Sequence, residues 1–351
     1  MKIIATAPTK IILCGEHAVV HGGNAVAAPI SFRNKVALEK RIGPPRFVFH
    51  QPAAPQWHAE LHPDGTITGN AAYKGLMLLV DTVMREQETS VAEQGFLYAD
   101  FVYSGAPKGT GNSASIAAAL ASALYAFLKV KPSKQQLFDA IQIAEREAHG
   151  NPSGVDARTV ISTCAQRFHK KWDSQGNPEF FFEDADLKLP LQTRLLIIDS
   201  LRAGEKPAAT SELVEQFSKH YFNKSPNELT PAERQRVADE FNRVTAKIES
   251  QLRLDGDAQL LGDYFNENHE LLRKAGVSSK GIEEAKKTAL AAGAFGAKLT
   301  GAGGRGGALI ALVKKEKLAA VKQALATKKF KSYEANFDFK GITIESSELT
   351  Q

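Results

Sequence analysis

The first third of the chain carries several short, largely apolar segments, and the last of them, LYADFVYSG, alternates apolar and polar residues as a half-buried β-strand does. β-Branched and aromatic residues, interrupted by glycine and proline, strengthen this prediction. The predicted strands are IIATAPTKIILCGE, NKVALEKRI, RFVFHQ and LYADFVYSG. Strands therefore dominate the N-terminal part of the chain.

Apolar positions at helical spacing predict helices after these strands, and capping residues mark several of their ends. Ser133 and Gly150 bound one such segment, and Thr230 opens another with a capping box and a proline at the first helical position. The remaining predicted helices are AAYKGLMLLVDTVMREQE, about 113 to 127, DAQLLGDYFNENHELLRKAG and IEEAKKTALAAG. Runs of strands combined with strand–helix alternation indicate an α+β fold.

A buried-strand pattern, RLLIIDSL, follows Pro190, and we place a domain boundary there. Beyond it, AFGAKLTGAGGRGGALIALV predicts a strand, a glycine loop and a second strand, and ANFDFKGITIES predicts one or two closing strands. A chain of 351 residues is long for a single core. We therefore predict two domains, residues 1–190 and residues 191–351.

Composition narrows the classes of partner. No apolar run reaches the roughly 18–20 residues of a membrane span, and the first residues lack the features of a signal peptide. The net charge of +5 suits an anionic substrate such as ATP. The basic stretch from Lys314 to Lys331 has Leu318, Val321 and Leu325 at helical spacing, which predicts a solvated helix face. We expect a cytoplasmic protein with no nucleic-acid or membrane partner.

Two glycine-rich segments are candidates for phosphate binding. SGAPKGTGNSASIAAALASALYAF, from Ser104, runs from a strand through glycines into a helix, whose free N–H groups and positive dipole end favour anions. It is neither a Walker loop nor a Rossmann fingerprint, and a tight strand–helix connection explains it equally well. TGAGGRGGALI, from Thr300, indicates close backbone packing against a ligand or another loop, because glycine lowers the stability of regular structure.

Two further segments place charged residues in unusual positions. EREAHGNPSGVD, from Glu145 to Asp156, puts an acid after a turn, and taken alone Asp156 is better explained as a helix cap. PTKIILCGEHAVVHGG, from Pro8, places Lys10, Glu16 and His17 in an apolar strand and turn. Buried polar groups need partners, although a surface-facing alternation also accounts for Lys10.

Taken together in their order along the chain, the four segments resemble the galactokinase, homoserine kinase, mevalonate kinase and phosphomevalonate kinase (GHMP) superfamily. The resemblance extends from about Ala5 to Leu312 and is strongest to mevalonate kinases. The resemblance to mevalonate kinases rests on three segments: GEHAVVHG from Gly15, HGNPSGVD from His149, and NENHELLRKAGVSS followed by AKLTGAGG. It implies an N-terminal α+β domain and a ferredoxin-like C-terminal domain, with the active site in the cleft between them. It also implies ATP-dependent phosphorylation of mevalonate to 5-phosphomevalonate, with Mg²⁺, and it allows a homodimer.

The resemblance also implies residue roles. Asp156 matches the general base, and Lys10 matches the lysine that holds it and lowers the pKa of the alcohol. Glu145 and Ser113 match the metal ligands. The substrate-binding residues implied are Glu16, His17 and Ser153. The nucleotide-binding residues implied are Pro107, Lys108, Gly109, Thr110, Gly111, Asn112, Ser113, Ala114 and Ser115.

The sequence departs from the superfamily pattern in both glycine loops. PKGTGNSA, from Pro107, is two residues shorter than P-x-G-x-G-L-G-S-S-A and has Asn112 where a serine is expected, so Ser115 competes with Ser113 as the metal ligand. Lys108 adds charge near the phosphates or points to solvent. Arg305 interrupts the glycine run of TGAGGRGGALI, as a phosphate contact or as an exposed side chain, and we favour exposure.

Four functions fit this pattern. The first is a mevalonate kinase. The second is a related kinase for phosphomevalonate or a sugar, against which GEHAVVHG argues. The third is diphosphomevalonate decarboxylase, against which the combination of Lys10 with Glu145 argues. The fourth is a non-catalytic ligand-binding homologue, which the altered loop alone supports.

Overall fold

The strands form two sheets in the described part of the chain. The structure is a computed structural model, and it describes residues 2–54, 56–150, 152–173, 178–202, 204–206 and 208–347. The strands are β1 (Lys2–Cys14), β2 (Asn24–Arg41), β3 (Arg46–His50), β4 (His58–Leu61), β5 (Ile67–Gly69), β6 (Phe96–Val102), β7 (Ala165–Trp172), β8 (Pro178–Ala185), β9 (Thr193–Asp199), β10 (Ala294–Thr300), β11 (Ala308–Lys314), β12 (Lys331–Ala335) and β13 (Thr343–Ser347).

Helices occupy most of the predicted positions. They are α1 (Lys74–Glu86), α2 (Val91–Gln94), α3 (Asn112–Phe127), α4 (Lys134–His149), α5 (Val155–Val160), α6 (Thr210–Phe222), α7 (Pro231–Gln251), α8 (Ala258–Lys274), α9 (Lys280–Ala291) and α10 (Leu318–Thr327). The cap predicted at Ser133 and the capping box predicted at Thr230 are both present, and the cap at Ser133 is also a capping box, with Gln136. In α10, Val321 and Leu325 are buried while the lysines of this region are exposed, so the predicted solvated face is confirmed. The turn predicted at Asn151 begins outside the described residues.

The first sheet has the order β13-β1-β2-β6-β3-β4-β5, and β7 and β8 extend it from another part of β2. All pairings are antiparallel except that of β3 with β6. Burial alternates along the first residues of β1 and becomes continuous from Ala7 to Ile11. The change occurs because the later part of β1 joins the core around the second sheet, where Ile11 and Leu13 share a cluster with Leu195 and Ile197.

Helix α3 is the central helix of the first domain, and most of its residues from Ala114 to Tyr125 are buried. Its alanines let it approach β1 and β2 closely, since a small side chain shortens the distance between packed elements. The phosphate-loop candidate therefore ends at a helix whose start is fixed by the core.

The second sheet has the order β10-β11-β9-β12, entirely antiparallel, with β9 in an inner position. Strand β9, the helices α6 to α9, strands β10 and β11, helix α10 and strand β12 follow one another in the β-α-β-β-α-β order of ferredoxin-like folds. The predicted α+β class and the ferredoxin-like second domain are confirmed.

The domain boundary near Pro190 stays a prediction. The chain changes sheet between β8 and β9, and β13 later returns to pair with β1, from Lys2 opposite Ser347 to Thr6 opposite Thr343. The second sheet and residues 191–351 are therefore not coextensive. No helix in the described ranges combines the length and the apolar character needed to cross a bilayer.

Candidate active site

A lysine–aspartate pair lies where the two glycine loops meet. The Nζ atom of Lys10, in the buried part of β1, is 3.0 Å from Oδ1 of Asp156 in the first turn of α5. The side chain of Lys10 is 3% exposed, whereas that of Asp156 is 35% exposed. A buried ammonium thus holds a carboxylate whose other face reaches solvent, as a base that must accept a substrate proton requires.

The loop from Pro107 to Gly111 closes over this pair. Thr110 accepts a hydrogen bond from the backbone N–H of Lys10 (2.8 Å), and Lys10 Nζ donates to the Gly109 carbonyl (3.3 Å). Gly111 has φ +71°, and a Cβ there would lie 2.9 Å from Cγ of Lys10. Glycine at 111 is therefore required both by backbone conformation and by the closeness of the Lys10 side chain.

Asn112 stabilises the shortened loop from within. Its side-chain amide donates to the carbonyls of Ala106 (3.1 Å) and Pro107 (3.2 Å) and to the Thr110 hydroxyl (3.2 Å). Pro107 and Thr110 are buried, and their carbonyls accept hydrogen bonds within the protein, so these two predicted nucleotide-binding residues support the loop. The departure at Asn112 is thus compensated by internal hydrogen bonds.

The structure separates the two candidate metal-binding serines. Ser115 is fully buried and donates to the Ala7 carbonyl at 2.8 Å, and its neighbour Ala114 is also in the core. Ser113 instead interacts with the carboxylate of Glu145 on α4. The geometry therefore favours Ser113 over Ser115.

Glu145 has the environment of an ion-binding carboxylate. It is 2% exposed, and its Oε1 makes no hydrogen bond to the described part of the chain. Burial and the nearby charge of Asp156 raise its pKa to about 7, against the smaller effects of Ser113 and Lys10. A buried carboxyl with an unused oxygen can bind a cation that displaces its proton.

Glu16 and His17 follow β1 in a turn that strand β10 and the loop after it hold. Glu16 forms a buried ion pair with Lys298. The ring nitrogen Nε2 of His17 donates to the Ala302 carbonyl at 2.9 Å, and the ring stacks on Phe217 at 5.1 Å. Burial lowers the pKa of His17 to about 4, so the ring is neutral and its Nδ1 is an acceptor.

Ser153 stands at the start of α5, where its hydroxyl accepts a hydrogen bond from the backbone N–H of Val155 (3.5 Å). It lines neither of the two cavities described below. Its role in substrate binding stays a prediction.

Two cavities meet at Asn112 and Ser113. The smaller, of about 290 Å³, lies between the glycine loops and is lined by Lys108, Gly109, Gly111, Asp156 and Arg305, among others. The larger, of about 880 Å³, contains Glu145 and the aromatic residues Trp57, Tyr73 and Tyr103. A charged cleft therefore opens beside a roomier aromatic one.

The basic side chains of the two glycine loops, Lys108 and Arg305, contact the same segment of the second domain. Lys108 Nζ donates to the Ala208 carbonyl (3.1 Å), and Nε of Arg305 donates to the Lys206 carbonyl (2.8 Å). Arg305 is exposed, as predicted. Both side chains nevertheless line the smaller cavity with Asp156, so solvent exposure and a place at the site are compatible.

Sequence reasoning did not single out several residues at this site. The aromatic residues of the larger cavity carried no motif. Lys298 did carry a signal, because it is a lysine within an otherwise apolar strand, AFGAKLT, and a buried charge requires a partner. That partner, Glu16, is 282 positions away in the chain and could not be inferred from spacing.

Comparisons with known proteins agree with this geometry. The family described as GHMP kinases N terminal domain matches residues 83–163, and the family described as GHMP kinases C terminal matches residues 248–332. A mevalonate kinase of Pyrococcus furiosus is 30% identical, over 89% of each chain. A mevalonate kinase of Aeropyrum pernix is 27% identical over 97% of this chain and 98% of its own.

Solved structures share the fold. The Methanococcus jannaschii mevalonate kinase superposes with a TM-score of 0.76 at 20% identity, covering 95% of this chain and 98% of its own. The L. major mevalonate kinase in complex with R-mevalonate gives a TM-score of 0.72 at 22% identity, covering 96% of both chains. The matched domains, the relatives that span most of the chain and the shared fold lead to one assignment: the chain belongs to the mevalonate kinase family of the GHMP kinases.

Proposed function

We propose that the protein transfers the γ-phosphoryl group of ATP to the 5-hydroxyl of mevalonate, giving 5-phosphomevalonate and ADP. The observation that carries this proposal is the Lys10–Asp156 pair at the edge of a cleft between two glycine loops. Membership of the mevalonate kinase family supports mevalonate as the acceptor.

Asp156 acts as the general base. A neutral alcohol is a weak nucleophile, and a positioned carboxylate raises its reactivity by taking its proton as the new O–P bond forms. Lys10 keeps Asp156 in place at 3.0 Å and stabilises negative charge on the acceptor oxygen. The proton passes from the hydroxyl to Asp156, the phosphoryl group passes to the hydroxyl oxygen, and ADP is the leaving group.

The phosphates of ATP bind across the loop from Pro107 to Gly111 and the N-terminus of α3. Backbone N–H groups at a helix N-terminus favour anions, and Lys108 adds a cation on the same side of the cavity. The larger cavity, with Trp57, Tyr73 and Tyr103, has the apolar and aromatic walls that suit a nucleobase. We assign Ala114 and Ser115 to the support of this loop rather than to direct contact.

The residues at Ser113 and Glu145 fit a Mg²⁺ ion. One carboxylate and one hydroxyl are a typical protein share for Mg²⁺, which takes its other ligands from phosphate and water. When bound, Mg²⁺ neutralises charge on the phosphates and orients them for in-line transfer. The unused buried oxygen of Glu145 supports this assignment.

The acceptor lies against Glu16, His17 and Ser153 in this proposal. Glu16 Oε2 and His17 Nδ1 are buried acceptor atoms with no hydrogen-bond partner in the described residues. Such atoms favour a ligand that carries hydrogen-bond donors, and mevalonate has two hydroxyl groups.

We further infer a cytoplasmic enzyme that forms homodimers, and domains at 1–190 and 191–351.

A coupled ADP-release assay tests the function. The purified chain is given ATP and Mg²⁺ with mevalonate, phosphomevalonate, galactose or homoserine in separate reactions. We expect turnover with mevalonate alone. Turnover only with another acceptor would replace the substrate, and ATP binding without turnover for any acceptor would favour a non-catalytic ligand-binding protein.

A further inference from the structure

Strand β10 and the loop that follows it contact the end of β1 and the turn after it through every second residue. Lys298 pairs with Glu16, and the hydroxyl of Thr300 both donates to the Ile12 carbonyl (2.9 Å) and accepts from the Ile12 N–H (3.0 Å). The carbonyl of Ala302 accepts from His17. Because side chains of a strand alternate between its two faces, residues 298 and 300 point to the same face, towards the first domain.

Lys298 has no role in the reaction as described so far, yet it is fully buried. Its ammonium donates to Glu16 Oε1 and to the Leu299 carbonyl at 2.7 Å. A buried ion pair contributes little net stability compared with apolar residues of similar size, while the loss of one partner leaves an uncompensated charge. Stability alone is therefore a poor explanation for this pair.

The pair leaves one oxygen of Glu16 unused. Oε2 is buried and has no partner within the described residues, while Oε1 is bound to Lys298. Burial raises the pKa of the Glu16 carboxyl, and Lys298 and, more weakly, Lys10 act against that rise. A carboxylate fixed through one oxygen presents the other as a directed acceptor of hydrogen bonds.

The four charges alternate in sign towards the cleft. Lys298 is followed by Glu16, then by Lys10, which is close enough to lower the pKa of Glu16, and then by Asp156. Only Asp156 is substantially exposed, and the three others have side chains at most 3% exposed. Glu16 is thus within electrostatic range of Lys10, which pairs with Asp156.

We propose that Lys298 is a positioning residue for the acceptor alcohol: it fixes Glu16 through Oε1 so that Oε2 accepts a hydrogen bond from a hydroxyl of the bound substrate. The inference rests on the proposed function, because it requires an alcohol bound beside Lys10 and Asp156. His17 Nδ1, which has no hydrogen-bond partner among the residues that the structure describes, offers a second acceptor from the adjoining residue. The acceptor site is consequently suited to a substrate that has more than one hydroxyl.

Steady-state kinetics of Lys298→Met test this proposal, with Lys286→Met as the matched control. Lys286 is also a mostly buried lysine of the second domain in an ion pair, with Glu270 at 3.5 Å, but that partner lies on α8 and is 44% exposed, not in the turn that carries Glu16. We expect Lys298→Met to raise the KM for mevalonate by about 10- to 100-fold, the range for a hydrogen bond to a charged group. The KM for ATP should change by less than about twofold, and Lys286→Met should change neither.

A double mutant and a pH profile separate positioning from folding. If Lys298 acts through Glu16, Glu16→Gln combined with Lys298→Met should bind mevalonate no worse than Glu16→Gln alone.

The charged or titratable groups facing Glu16 are Lys298, Lys10, Cys14 and the neutral His17. Loss of the Lys298 charge raises the pKa of Glu16, so the acid limb of kcat/KM should move to higher pH.

Three results would overturn the proposal: an unchanged KM for mevalonate, an unchanged acid limb, or additive losses in the double mutant. If Lys298→Met does not fold, Lys298→Gln, which keeps a hydrogen-bond donor without the charge, is measured with the same expectations. Wild-type enzyme that turns over a different alcohol refutes the substrate assignment only, and the same variants are then compared with that alcohol.

Discussion

Replacing Gly111 with alanine should disable the enzyme through Lys10 rather than through the backbone. Gly111 has φ +71°, and the added Cβ would lie 2.9 Å from Cγ and 3.0 Å from Cε of Lys10. Gly105, in the same loop region, has φ +76° and nothing within 4 Å of an added Cβ. Gly105→Ala is therefore a control that shares the backbone penalty and lacks the contact with the lysine.

The expected magnitudes follow from these distances. A left-handed conformation costs an alanine about 1–2 kcal/mol, and both variants incur it. Ordinary carbon contacts begin near 3.4 Å, so Lys10 must move by about 0.5 Å in Gly111→Ala. Because a misplacement of about 1 Å lowers rates by roughly 100-fold, we expect kcat to fall about 10- to 100-fold in Gly111→Ala and less than about threefold in Gly105→Ala.

The assay combines urea unfolding with ADP release at saturating mevalonate and ATP. Both variants should lose similar free energy of unfolding, while only Gly111→Ala loses turnover. Wild-type turnover in Gly111→Ala would refute the reasoning, because the loop would then not set the position of Lys10. A loss of turnover in Gly105→Ala as large as that in Gly111→Ala would attribute the effect to backbone strain.

Three further predictions concern the neighbouring side chains. Asp156→Asn should lower kcat by about 10²- to 10⁴-fold with an unchanged Kd for ATP by calorimetry; activity near wild type would exclude Asp156 as the base. The pKa of the Glu145 carboxyl is raised to about 7 in the folded chain, from an ordinary value of about 4.5 in the unfolded chain. Its contribution to the free energy of unfolding is therefore complete below pH 4.5 and is lost as the pH rises through 7. Glu145→Gln should therefore gain about 3 kcal/mol on wild type between pH 4.5 and 8 in Mg²⁺-free urea titrations, whereas a pH-independent difference would contradict the raised pKa. Asn112→Ser should lower the free energy of unfolding by about 1–2 kcal/mol and slow turnover, because the loop loses its bonds to Ala106, Pro107 and Thr110; a faster enzyme would show that serine is the better residue.

Local patterns predicted the elements well because the relevant interactions are local. The capping boxes at Ser133 and Thr230 are formed by residues three positions apart, and both are present. The alternation in β1 and the helical spacing in α10 reflect which face each element buries. The return of β13 to the first sheet was not predicted, since strand pairing between residues more than 300 positions apart leaves no local trace.

The site was predicted through motifs, and its details depend on three-dimensional packing. Motifs identified Lys10, Asp156 and Glu145 but left Ser113 and Ser115 as competitors. On a helix, residues 113 and 115 point to different faces, and only the fold shows that the face of Ser115 meets the Ala7 carbonyl. The sequence likewise flagged Asn112 as a departure, whereas the structure shows that its amide fills the shortened loop with hydrogen bonds.

If Lys298 positions Glu16 as we propose, the acceptor site needs both domains. The lysine comes from the sheet of the second domain, and its partner Glu16 follows the strand that carries Lys10. A charge supplied across the domain interface is present only when the domains are packed correctly, so the acceptor site is completed by the same contact that closes the core. An enzyme built in this way should lose acceptor binding as soon as the interface loosens, even while each sheet remains intact.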